Sequence, residues 1–202
     1  MMFIEPKEEP LTFHEKVRQP GKGFLKNNPN PKTWKNREYW QGCIAELYDA
    51  YEGICAYCVE WIPETTGDPT VDHFIPKSIR PELAYEWTNF RLACLRFNRW
   101  KQNFQDVLDP FSIGSEWFLV QFPSLQLRPN PTLSLHQKAQ INATIARLRL
   151  NGPICIKSRN RWIKYYCQSK FDFDYLKRHA PLIARELERQ DIIDKIKQMM
   201  NP

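Results

Sequence analysis

Between Ile54 and Lys101 the chain never sustains one long apolar period, which restricts this stretch to small mixed elements. Two β-prone runs, "ICAYCVEWI" and "TVDHFI", are split by the turn-forming "PETTGDP". Branched and aromatic residues suit half-buried strands, and Pro, Gly and Asp punctuate them. Polar and aromatic residues then lead into "NFRLACLRFNRWKQN", which reads as a helix. The expected order is a hairpin-like pair followed by a helix.

The flanks read differently. Residues 1–32 contain Pro6, Pro10, Pro20, Pro29 and Pro31 with Gly21 and Gly23, so an extended arm is expected there rather than a long helix. It carries Lys16, Arg18, Lys22, Lys26 and Lys32. From Arg37, the spacing of Tyr39, Trp40, Cys43, Ile44, Leu47, Tyr48 and Tyr51 predicts an amphipathic helix closed by Gly53. After residue 105, "DPFSIGSEWFLVQF" reads as a loop and a strand. "LSLHQKAQINATIARLRLN" reads as a helix with Leu135, Ala139, Ile145, Leu148 and Leu150 among its apolar positions. Two further helical segments follow, "SRNRWIKYYCQSK" and "APLIARELERQDIIDKIKQMM", the second opened by Pro181. The expected class is α+β in three stretches: a basic arm and helix over 1–52, a compact core over 53–105 and a mainly helical extension over 106–202.

A chain of 202 residues, 42% of them hydrophobic, is long enough to bury a good core. No run of about 18 apolar residues occurs, which excludes a membrane-spanning helix on length. The start, "MMFIEPKEEP", lacks the positive-then-apolar pattern of a secretion signal, so a cytoplasmic location is expected. The balance of 29 Lys and Arg against 23 Asp and Glu, a net +6, favours polyanionic partners. Six cysteines are too sparse for a disulfide scaffold, and in a reducing compartment they read as thiols or metal ligands.

Residues 71–78, "VDHFIPKS", place an acid and an imidazole side by side at the end of a β-prone run. Alone, such a pair is more often a surface or capping pair than a site. Asn89 and Asn98 alone are caps or turn residues, and Lys101 alone is a solvated charge. Together they form the pattern D-H-x15-N-x8-N-x2-K, and joint spacing is what separates a site from scattered polar residues.

On these residues the chain resembles the HNH endonuclease family over about a quarter of its length. The resemblance implies a ββα-metal core over 53–105, with His73 as general base and Asp72 and Asn98 as ligands of one divalent cation. It implies that Asn89 orients the histidine through the backbone and that Lys101 is the basic residue following the metal ligand. The chemistry accounts for these residue types. An imidazole with an ordinary pKa of about 6.5 can accept a proton from water at neutral pH. A hard cation held by carboxylate and amide oxygens can stabilise the departing 3′-oxygen, and Mg²⁺, which needs only one or two protein ligands, fits best, with Mn²⁺ as a substitute. A nearby Lys or Arg neutralises further phosphate charge.

A weaker signal is Cys55 and Cys58 in "CAYC", with Cys94 later. Many HNH proteins resemble this arrangement with a second cysteine pair forming a structural zinc site, but here Phe97 stands in the place of the fourth cysteine. Cys43 supplies a ligand only if its helix packs against the knuckle. Without zinc, Tyr57, Trp61, Phe74, Trp87, Phe90 and Phe97 must fill the small core. Arg91, Arg96, Arg99 and Lys101, interleaved with Trp100, are candidate contacts to a phosphate backbone. The set Arg147, Arg149, Lys157, Arg159, Arg161 and Lys164 reads equally as such a surface or as solvated helix faces. His14, His136 and His179 read as surface residues.

The expected function is thus a metal-dependent DNA endonuclease. Its size and helical extension are similar to HNH subunits of bacterial anti-phage systems of the PtuB kind, which implies an ATPase companion. The alternatives are a noncatalytic zinc-knuckle module that binds nucleic acid, an RNA-cleaving HNH toxin, and a stand-alone restriction or homing nuclease.

Overall fold

Pro20 does not end the N-terminal helix; it begins a new winding of it. In the computed structural model, which describes residues 1–200 (Lys197, Met199 and Met200 by backbone alone), a π-helical turn over His14–Arg18 runs directly into α1, Gln19–Asn27. The N–H of Gln19 bonds back to the carbonyl of His14, five residues earlier. The wide turn therefore ends just before the proline. Pro20 then occupies the first turn of α1, where a missing N–H costs little. The expected extended arm is corrected accordingly: it is helical from His14 to Asn27. Gly21 is needed there, because a Cβ would fall 2.1 Å from a ring carbon of Tyr85. Arg18 pairs with Glu9 and Glu86, and Lys16 with Glu46, so part of the arm's basic charge is met within the chain.

The chain divides into two compact units. One comprises Ile4–Ala56 with Ile62–Gln105; the other comprises Met1–Phe3, Tyr57–Trp61 and Asp106–Pro202. In the first, the helix expected from Arg37 appears as a 3₁₀ turn over Tyr39–Cys43 and α2, Ile44–Ala50. Gly53, at φ 68°, closes it. Strand β1, Pro69–His73, pairs antiparallel with β2, Phe90–Cys94, setting Asp72 opposite Arg91 and His73 opposite Phe90. Helix α3, Leu95–Lys101, follows and packs on both strands.

Strand, strand and helix thus occur in the expected order, with different sequence runs filling it. The partner of "TVDH" is "FRLAC", the front of the segment read as a helix. "ICAYCVEWI" is not a strand. Val59 has φ 59°, which breaks an extended run, and the Ala56 N–H makes a backbone bond to the Leu92 carbonyl at 2.8 Å. The core of this unit includes Phe13, Leu47, Val71, Tyr85, Phe90 and Leu92, with the Phe13 ring edge-on to Trp87 and Phe90.

In the second unit, β3, Phe118–Gln121, and β4, Gln126–Pro129, form an antiparallel hairpin. Helix α4, Leu135–Arg147, starts at a capping box between Ser134 and Gln137. Ile145, Leu148 and Leu150 are buried as expected, whereas Leu135 is exposed. Helix α5, Pro153–Cys167, is followed by α6, Phe173–His179, a helix the sequence pattern did not suggest. The last expected helix divides into α7, Pro181–Arg189, and α8, Ile193–Met200, separated around Asp191 at φ 50°. His179 is not a bare surface residue, since its ring stacks on Tyr175 at 3.8 Å. The class is mixed α and β, and among the described residues no helix is long and apolar enough to cross a membrane.

Candidate active site

His73 closes β1, and the following loop fixes its ring. Nε2 lies 2.9 Å from the carbonyl oxygen of Ala84. A carbonyl only accepts, so this nitrogen carries the proton. Trp40 packs edge-on at 4.7 Å between ring centroids and Phe90 at 5.2 Å. Burial pushes the imidazole pKa down to about 3; Lys77 and Lys101 add to the fall, and the Ala84 carbonyl opposes it. The ring is therefore neutral at physiological pH, protonated on Nε2, with its accepting lone pair on Nδ1. Among the described residues Nδ1 has no hydrogen-bond partner, and no buried side-chain nitrogen or oxygen is left unpartnered. Nδ1 accordingly keeps contact with solvent.

Asn89 sits at the entry to β2 and binds the β1–β2 connection. Its Oδ1 accepts from the Ile75 N–H at 2.8 Å; its Nδ2 donates to the carbonyls of Ile75 and Leu83 at 3.0 and 3.1 Å. Ile75 is two residues after His73, and Leu83 directly precedes the residue that anchors the imidazole. The amide thus ties together both ends of the loop that positions the ring.

Asp72 and Asn98 meet different partners. Lys101 Nζ lies 3.2 Å from Asp72 Oδ1 and 3.1 Å from Oδ2, and donates to the His73 carbonyl at 2.8 Å. Both side chains are buried, Lys101 completely. Asn98 donates Nδ2 to Thr70 Oγ1 at 3.0 Å and to the Val71 carbonyl at 3.2 Å, which directs its Oδ1 away from those two atoms. The His73 ring makes no hydrogen bond to Asp72 or Asn98 among the described residues. The imidazole and the carboxylate share two neighbours: Lys77 and Lys101 both lower the His73 pKa, while Asp72 pairs with Lys101 and favours the charged form of Lys77.

In donor type, Asp72 and Asn98 fit a hard cation that takes one or two protein oxygens. Lys101 straddles the carboxylate, approaching both of its oxygens. The cysteines are less suited. Among the described residues no group of three or more His, Cys, Asp or Glu is arranged to hold a metal, so zinc at Cys55, Cys58 and Cys94 has no support in the geometry. Phe97, in place of a fourth cysteine, is buried edge-on against Trp100 at 5.2 Å.

The four basic residues expected at a phosphate backbone separate into two pairs. Arg96, laid over Trp100, and Arg99 are exposed. Arg91 and Lys101 are buried: the Arg91 guanidinium donates to the carbonyls of Thr88 and Phe90 and packs over Phe74, while Lys101 serves Asp72. In the C-terminal set, Arg159 is likewise buried, bound to the carbonyls of Leu125 and Leu150. The sequence reading missed Lys77 and Trp40. Lys77 was in view, four residues after His73, but nothing in the residue order shows that its ammonium lies 4.9 Å over the Trp40 ring.

No protein-family model matches the chain, and no curated protein matches it in sequence.

Proposed function

We propose that this chain is a metal-dependent endonuclease that hydrolyses DNA phosphodiester bonds, with His73 as the proton acceptor. The observation that carries this reading is the hold on the imidazole: Nε2 is bound by the Ala84 carbonyl and burial keeps the ring neutral, which leaves Nδ1 as the accepting nitrogen. A water placed against Nδ1 gives up its proton as it attacks phosphorus. An imidazole with so low a pKa is a weak base while the site is empty. An incoming phosphate would offset the part of that fall caused by Lys77, which is smaller than the part due to burial.

Asp72 and Asn98 would hold the divalent cation, Mg²⁺ or Mn²⁺, which when bound stabilises charge on the departing oxygen. Lys101 keeps the Asp72 carboxylate and the end of β1 in place. Arg96 and Arg99 supply exposed charge for the backbone. A role as the effector of an anti-phage system beside an ATPase companion rests on the sequence resemblance alone.

The test is a supercoiled-plasmid assay with Mg²⁺ or Mn²⁺, run beside structured RNA. Wild-type protein is expected to cut DNA, to stop in EDTA, and to lose at least a hundredfold in rate with His73→Ala or Asn98→Ala while circular dichroism stays unchanged. Cleavage that persists in folded His73→Ala excludes this function.

A further inference from the structure

Lys77 has the features of a ligand-binding cation. Its side chain is only half-buried, and among the described residues its ammonium forms no ion pair and no hydrogen bond. It is held in place by lying over the Trp40 ring at 4.9 Å, and Trp40 in turn packs edge-on to His73 at 4.7 Å. Lys101 is the opposite case, fully buried and engaged by Asp72 and the His73 carbonyl. Burial is what most disfavours its charge. Burial and Lys101 both push its pKa down against the pull of Asp72 and Glu38. An anion at this point would replace the hydration that burial takes from the ammonium.

We propose that Lys77 binds the scissile phosphate of the substrate, holding a non-bridging oxygen so that phosphorus faces the solvent-accessible nitrogen of His73. Trp40 is the positioning residue that fixes Lys77 and the imidazole relative to each other. The position is suited to a phosphodiester on three grounds. The ammonium offers three donors to an oxyanion. The indole face holds the aliphatic stem and lowers its rotational freedom. Asp72 and Asn98, on the same strand–strand–helix unit, supply the oxygen donors on which the proposed nuclease activity depends. This inference rests on that activity for its catalytic consequence and on the geometry alone for binding.

The experiment has two readouts, so that the two can fail separately. In the first, the His73 ring resonances of full-length protein are followed by NMR in EDTA while a short duplex DNA is titrated in. Wild type and Lys77→Arg are expected to shift, and Lys77→Met to lose the shift. In the second, plasmid cleavage by Lys77→Met is expected to fall about a hundredfold in kcat/KM, as for removal of one oxyanion donor, with Lys77→Arg recovering at least a tenth of wild-type activity. Thermal melting checks that each variant folds. A ring shift that is the same in Lys77→Met, or cleavage unchanged by it, overturns the role of Lys77. A Lys77-dependent shift with no cleavage by wild type supports the phosphate site and overturns the nuclease.

Discussion

Lys101 Nζ lies 3.1 Å from Asp72 Oδ2, and the two side chains are 0% and 3% exposed. A pair this deeply buried contributes little net stability against a well-packed apolar pair, but removing one member strands the other charge away from water. Lys101→Met is therefore expected to destabilise the protein by about 3–5 kcal/mol. The double variant Asp72→Asn/Lys101→Met should cost clearly less than the sum of the single changes. Urea unfolding of the three variants measures this, and additive losses would show that the two side chains do not act as a pair.

Asn89 offers a sharper test of how the loop is held, since one amide makes three hydrogen bonds across it. Asn89→Ala removes all three and leaves buried backbone groups unsatisfied, at a cost of about 3 kcal/mol when each bond contributes about 1 kcal/mol. Asn89→Asp is expected to be worse: the Ile75 N–H keeps its acceptor, but the Ile75 and Leu83 carbonyls then face a carboxylate oxygen. Denaturant midpoints should fall in the order wild type, Ala, Asp. Hydrogen exchange should rise first at Ile75 and Phe74, whose N–H groups bond to Asn89.

Gly21 and Tyr85 make a steric test of the same region. The α1 backbone lies so close to the Tyr85 ring that a methyl group at residue 21 would overlap it. Gly21→Ala normally favours a helix by about 1 kcal/mol. Here the displaced ring makes it destabilising by about 1–3 kcal/mol. Gly23, where a Cβ meets nothing within 4 Å, is the control and should gain stability on the same substitution. Thermal melting of the two alanine variants should move in opposite directions.

That the candidate residues lie on one strand–strand–helix unit was legible in the residue order where it depends on local spacing. The interval from His73 to Asn89 is a loop whose two ends one amide can join. The interval from Asn98 to Lys101 is one helical turn, which is why both side chains of α3 reach β1. What the order did not reveal depends on tertiary approach. Trp40 comes from a 3₁₀ turn far upstream, and its place between Lys77 and His73 follows from how α2 packs on the sheet. Strand β2 was read as helix because Phe90, Leu92 and Ala93 are all buried, and a fully buried strand loses the alternation that identifies one. The helical arm was missed because a π-turn can absorb a proline that would break an α-helix.

Glu186 sets an acid limit on the second unit. Its carboxylate is fully buried and accepts from the Val120 N–H at 3.1 Å, from Arg189 at 2.9 Å and from Arg185 at 2.9 Å, joining α7 to β3. Burial acts to raise its pKa, but the Arg189 hydrogen bond, the Val120 amide and the two arginine charges together outweigh it, so the group sits below the usual glutamate value. A carboxyl whose pKa is lower folded than unfolded contributes stability that is fully present above the unfolded value of about 4.3. That contribution is lost as pH falls through the folded value. Wild-type protein is therefore expected to lose stability on acidification below about pH 4.3. Glu186→Gln should already be less stable at pH 7 and should show a weaker dependence over the acid range. Urea midpoints at pH 7, 5 and 3 for both proteins, with α7 followed by hydrogen exchange, measure the difference. Parallel pH curves for the two would place the acid sensitivity elsewhere.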